Sequence, residues 1–207
     1  MEIVLTAVDE ALAAAWQQFC GDLPAVRIHR GSILDTACDA VVSPANSFGF
    51  MDGGIDALYL RHFGSELQQR VRDMIVARHH GELLVGAADI VETGDARIPF
   101  LIVAPTMRVP TVLIESVNPY LAARAVLLLI QHGRFEKNPI RDAVRTLALP
   151  GLGTGVGGVS PSTCAHQVRT AIDEVVLGRR PPPRSWTEAS ERHQLLYTAR
   201  PRRLQEP

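Results

Sequence analysis

The stretch DAVVSPANSFGFMDGGID, Asp39–Asp56, runs from an apolar β-branched segment into a turn-rich loop and on to an aspartate where a helix can begin. Three apolar residues, Ala40, Val41 and Val42, bounded by serine, proline and asparagine read as a short buried strand that stops at a turn. About a hundred residues later the same order returns in TLALPGLGTGVGGVSPSTCAHQV, which begins at Thr146. There a strand empties into a glycine loop, and Ser160 with Pro161 opens an amphipathic helix. Two strand–loop–helix units in one chain imply an α/β protein, with both loops at the carboxyl ends of strands.

The flanking sequence extends the alternation. EIVLTAV is a first strand, and Asp9 caps a helix whose Leu12, Trp16 and Phe19 share a face. AVRIHRGSI supplies a second strand before the quoted one. From Gly54 to about Arg78 the apolar period of three to four residues predicts two helices broken near Gly64. GELLVGAADIVETGDARIPFLIVAPT predicts two strands around a turn, the second central in the sheet. Asn118 and Pro119 are expected to cap and begin a long helix buried through Leu121, Ala125, Leu128 and Leu129. NPIRDAVR predicts a short helix started by Pro139. Beyond GRRPPPRSW a last helix is expected to pack through Trp186 and Leu195, and the closing stretch from Arg200 is expected to be mobile.

The chain has 207 residues, which suits one core. We expect a domain over 1–178 and a proline-containing extension over 179–207. Lys+Arg number 21 against 22 Asp+Glu, so no global basic field argues for nucleic acid. Cys20, Cys38 and Cys164 fit neither a disulfide framework nor a CxxC site and are expected as buried thiols in a reducing cytosol. No apolar run reaches the ~18 residues of a membrane helix, so a cytoplasmic protein with no membrane contact is expected.

Glycines at strand ends let a ligand approach backbone N–H groups. PGLGTGVGG, Pro150–Gly158, precedes a helix N-terminus, where free amides and the dipole favour a phosphate. A Walker loop is excluded because no Lys-Ser or Lys-Thr follows. A dinucleotide fingerprint fits poorly, since Asp173 falls within a helical pattern. A tight turn with close packing is the competing reading of the glycines.

DAVVSPANSFGFMDGGID together with LALPGLGTGVGG resembles the macrodomain family, the ADP-ribose-binding module, over about Arg27 to Val176. Its motif spacing is closest to MacroD-like ADP-ribosyl hydrolases. The resemblance implies a three-layer α/β/α sandwich with a central mixed, mostly parallel sheet. It implies ADP-ribose or an ADP-ribosylated molecule as partner, with no cofactor and no metal. The family's Ala-Asn pair, and its aspartate ten residues after the asparagine, match Ala45-Asn46 and Asp56. By that match Asn46 holds the distal ribose, Ser47, Gly53, Gly54 and Ile55 line its passage, and Gly153, Thr154, Gly155, Val156 and Gly157 cradle the diphosphate. Ser32 and Ile33 occupy the adenine end. Ser32 replaces an aspartate there, for which Asp35 is a substitute, and Gly157 replaces an aromatic residue, for which Phe48 or Phe50 is one.

The resemblance also implies catalysis by Asn46 and Asp56 on an acyl-linked ADP-ribosyl group, on protein carboxylates or acetyl-ADP-ribose. Three alternatives use the same loops: a non-catalytic reader, an ADP-ribose 1″-phosphate phosphatase, and an interaction module with Phe48, Phe50 and Met51 at its tip. Read locally, Asp56 is a helix cap and Asn46 a turn residue bonded to its own backbone.

Overall fold

The computed structural model describes residues 1–44 and 46–198. Ala45 of the Ala-Asn pair and the closing stretch 199–207 lie outside the described residues.

The strands are β1 (Glu2–Ala7), β2 (Val26–Arg30), β3 (Ala40–Ser43), β4 (Asp89–Glu92), β5 (Phe100–Val103), β6 (Arg134–Phe135), β7 (Asn138–Pro139) and β8 (Thr146–Leu149). The helices are α1 (Glu10–Cys20), α2 (Gly54–Phe63), α3 (Glu66–His79), α4 (Asn118–His132), α5 (Ile140–Ala143), α6 (Pro161–Val175) and α7 (Trp186–Gln194). Six strands form one sheet in the order β2-β1-β8-β3-β5-β4, while β6 and β7 make a separate hairpin. Every pairing in the large sheet is parallel except β4 with β5.

Period-two alternation makes this sheet the middle layer. Ile3, Leu5, Val42, Leu147 and Leu149 join the core that includes residues of α1, α4 and α6. Val4, Val41, Leu101, Val103 and Ala148 face the other way, into the core that includes residues of α2 and α3. The chain is therefore a three-layer α/β/α sandwich with a mixed, mostly parallel sheet. Cys20, Cys38 and Cys164 are all free and buried in it. No helix among the described residues is long and apolar enough to cross a membrane.

Three local expectations are corrected. The residue capping α4 is Val117, without a side-chain hydrogen bond, because the helix already begins at Asn118, whose Nδ2 donates to the carbonyl of Thr106 at 2.7 Å. The buried face of α4 keeps Ala125 as expected but otherwise runs through Ala122, Ala123, Val126, Leu127 and Ile130 rather than through Leu121, Leu128 and Leu129. Packed beside α6 on one side of the sheet, this helix buries small side chains together with Val126, Leu127 and Ile130. Trp186, at the start of α7, is 83% exposed, and Leu196 beyond the helix is the buried anchor instead.

Candidate functional site

At the carboxyl ends of β1, β3 and β8 the sheet opens into a cleft of about 750 Å³. Crevices at this edge of a parallel sheet are where α/β proteins bind ligands. One wall is the first loop, with Asn46, Phe48, Phe50, Gly53 and Gly54, and the facing wall is the glycine loop, Pro150–Gly157. Ser32, Ile33, Ile55 and Asp56 also line the cleft, whereas Ser47 stays outside it. Ser47 is buried behind the wall, its N–H donating to the Arg108 carbonyl and its own carbonyl accepting from Leu83. Asp35 is exposed and also outside the cleft, so it does not stand in for the aspartate that Ser32 replaces. The Ser32 hydroxyl accepts from the Leu34 N–H and caps a short 3-10 turn, Ile33–Asp35.

Asn46 is committed to its own loop. Its Oδ1 accepts from the N–H groups of Phe48 (3.1 Å) and Phe50 (3.3 Å), and its Nδ2 donates to the Phe50 carbonyl at 2.7 Å. The loop is fastened further by the Met51 N–H donating to Gln68 Oε1, and by Arg72 over the Phe50 ring and Arg108 over the Phe48 ring. Met51 is fully buried, so among the loop's apolar residues Phe50 is the exposed one, and no three-residue apolar tip exists.

Asp56 lies in the first turn of α2 but does not cap it. The cap is Gly53, without a side-chain bond, and Asp56 is only 5% exposed. Its Oδ1 is buried with no hydrogen-bond partner among the described residues. Burial pushes the carboxyl up to about 7, and only the nearby Ser43 hydroxyl pulls the other way. Tyr59, one turn on, fixes the helix by donating from its hydroxyl to the Val42 carbonyl at 2.9 Å. A buried carboxyl in a cleft, with one oxygen unpaired and its ionisation moved toward neutrality, is a candidate proton carrier.

The glycine loop turns some of its polar groups inward. Gly158 donates to the Gly155 carbonyl and Val159 to that of Gly153, and the Gly157 carbonyl accepts from Leu113 at 2.7 Å. Among the described residues, the N–H groups of Thr154, Gly155, Val156 and Gly157 have no partner. Four unpaired amides beside a cleft form a concavity suited to an anion. The N-terminal ends of α1 and α2, at Asp9 and Gly53, open into the same space. Gly157 has a steric reason to be glycine, since a Cβ there would lie 2.5 Å from the Gly153 carbonyl oxygen and 3.0 Å from Leu113 Cδ1.

Sequence reasoning missed the remaining wall, formed by Thr6–Asp9 at the end of β1 and by Met107, Val109 and Pro110 after β5. A parallel bridge between Asn46 and Met107 brings the second group beside the first loop. Cys164 is no nucleophile: burial drives its thiol up to about 12. Among the described residues no three metal-binding side chains come together.

The Macro domain family model matches residues 42–168. An uncharacterized protein of Aquifex aeolicus is 30% identical over 150 residues, covering 72% of this chain and 80% of that protein. The macrodomain of Mycobacterium tuberculosis DarG superposes with a TM-score of 0.58 at 20% identity, covering 70% of this chain and 88% of that one. A glycine-to-valine mutant of the Oceanobacillus iheyensis macrodomain, solved with ADPR, gives 0.57 at 19% identity, covering 70% and 74%. The chain belongs to the macro domain family.

Proposed function

We propose that the cleft binds ADP-ribose or an ADP-ribose derivative, and that Asp56 serves as general base in hydrolysing an acyl-linked ADP-ribosyl group. The observation that carries the catalytic part is the unpaired Oδ1 of a buried carboxyl at the cleft. The binding part is supported by the four unpaired amides and the N-terminus of α2, whose cap Gly53 makes no side-chain bond, which suit a diphosphate. It is also supported by the solved Oceanobacillus iheyensis macrodomain with ADPR and the Trypanosoma brucei macrodomain in complex with ADP-ribose. In other mutants of the Oceanobacillus protein an asparagine, or an aspartate ten positions further on, is replaced by alanine. Asn46 and Asp56 have the same separation.

In this reading ionised Asp56 takes a proton from a water as the water oxygen bonds to C1 of the distal ribose. The bond from C1 to the acyl oxygen breaks, and the departing carboxylate keeps the electron pair. A carboxylate leaves without needing a proton, so one base suffices, which favours the acyl linkage over linkages with a poorer leaving group. Asn46 works through the loop it clips, shaping the distal-sugar pocket, while Gly53 leaves room for the ligand because nothing lies within 4 Å of where its Cβ would be.

The test is hydrolysis of an ADP-ribosylated carboxylate by the native protein and by Asp56→Ala. The variant is expected to retain ADP-ribose binding and to lose turnover by about 100-fold or more. Binding without turnover in the native protein would leave a reader, and equal turnover in both proteins would remove Asp56 from the reaction.

A further inference from the structure

The chain beyond the residues matched by the family model reaches back to the walls of the candidate site. Residues 181–198, the C-terminal arm, carry α7 and then Leu196, which is 5% exposed and is the arm's buried side chain. Besides a bond from Gln167, two hydrogen bonds seat the arm on α6: His166 Nε2 with the Leu195 carbonyl at 2.6 Å, and the hydroxyls of Thr163 and Thr198 at 2.5 Å. Thr163 in turn bonds Ser160, the cap of α6, two residues after the glycine loop ends.

Gln167 is the junction. It is 0% exposed within α6, where an apolar side chain would pack at no desolvation cost, yet every bond its amide makes goes to main chain in a different segment. Oε1 accepts from the Tyr120 N–H (3.1 Å), satisfying one of the free amides of α4 that Val117 cannot cap. Nε2 donates to the Ser116 carbonyl (3.0 Å) and to the Leu196 carbonyl of the arm (3.4 Å). From Ser116 the connection continues in two backbone bonds, Ser116 N–H to the Leu113 carbonyl and Leu113 N–H to the Gly157 carbonyl. Leu113 also packs beneath Gly153 and Gly157.

We propose that Gln167 is a positioning residue through which the C-terminal arm holds the glycine loop in its cleft-lining shape. The functional weight of this coupling rests on the reading of that loop as the diphosphate cradle, but the coupling itself does not. A loop whose amides must all point at one ligand loses affinity when it samples other shapes, so the arm contributes preorganisation.

The experiment is residue-resolved amide hydrogen exchange on the full chain, native and with Leu196→Asp or Gln167→Met. Burying an aspartate in the seat of a leucine costs free energy whether it is charged or neutral, so Leu196→Asp is expected to expel the arm. Exchange at Leu113, Gly158 and Val159 is expected to quicken by about 10-fold or more in both variants, while Phe48 and Gly49 in the first loop keep the native rate. ADP-ribose affinity is expected to fall in the same proportion. The proposal is overturned if Leu196 itself exchanges freely while Leu113, Gly158 and Val159 stay protected, or if every amide quickens alike. Should Gln167→Met fail to fold, Leu196→Asp decides. A native protein that ignores ADP-ribose but shows the exchange pattern would remove the proposed function and leave the arm's role standing.

Discussion

Replacing Asp56 by asparagine should change how stability depends on pH, whatever the ligand. In the folded protein burial holds this carboxyl at about 7, whereas in the unfolded chain it titrates near 3.9, so the folded state disfavours the charge. The native protein then has its full stability below pH ~4 and loses it as pH rises toward and through about 7. A difference of that size between the two states corresponds to about 4 kcal/mol in total, of which linkage places about 1–2 kcal/mol below pH 5 and most of the rest between pH 5 and 8. Asparagine keeps the size and the acceptor but cannot ionise. Urea unfolding of both proteins at pH 5 and pH 8 is the assay. The stability gap should move in favour of Asp56→Asn by about 2–3 kcal/mol between the two pH values. Parallel pH profiles would mean that burial does not raise the Asp56 carboxyl, and the case for a near-neutral base would fall with it.

Other positions separate scaffold from ligand space. Gly53→Ala meets nothing within 4 Å and keeps an allowed φ of −136°, so its unfolding midpoint should be native within the equivalent of about 0.5 kcal/mol, while ADP-ribose affinity drops. Gly157→Ala drives a Cβ against the Gly153 carbonyl and should cost about 1–3 kcal/mol by denaturant unfolding. Asn46→Ala removes three hydrogen bonds of the first loop, and about 1–3 kcal/mol of stability together with faster exchange at Phe48 and Phe50 should follow.

What was legible in the sequence was local. Asp9 and Ser160 cap their helices with side-chain bonds to Leu12 and Thr163, as expected from residue type and position alone. The β-branched runs became strands, and the glycine loops emerged at strand ends. What was not legible depended on competition across the chain. Asn118 has the chemistry of a cap, but the helix already begins there and its Nδ2 donates to the Thr106 carbonyl. Leu121 and Leu128 have the hydropathy of a core face, yet the face that packs beside α6 mixes alanines with Val126, Leu127 and Ile130. The wall from Thr6 to Asp9 belongs to the cleft only because β1 lies between β2 and β8, an order no local pattern encodes. Asp56 is the instructive case: at a helix N-terminus it suggested a cap, and the fold leaves it buried without one.

Calorimetric titration of the native chain with ADP-ribose, with AMP as control, tests the role of the cleft most directly. Saturable, micromolar, one-site binding of ADP-ribose is expected, with much weaker binding of AMP, which lacks the diphosphate and distal ribose. Absence of ADP-ribose binding, or equal affinity for both, would contradict the cleft's assignment.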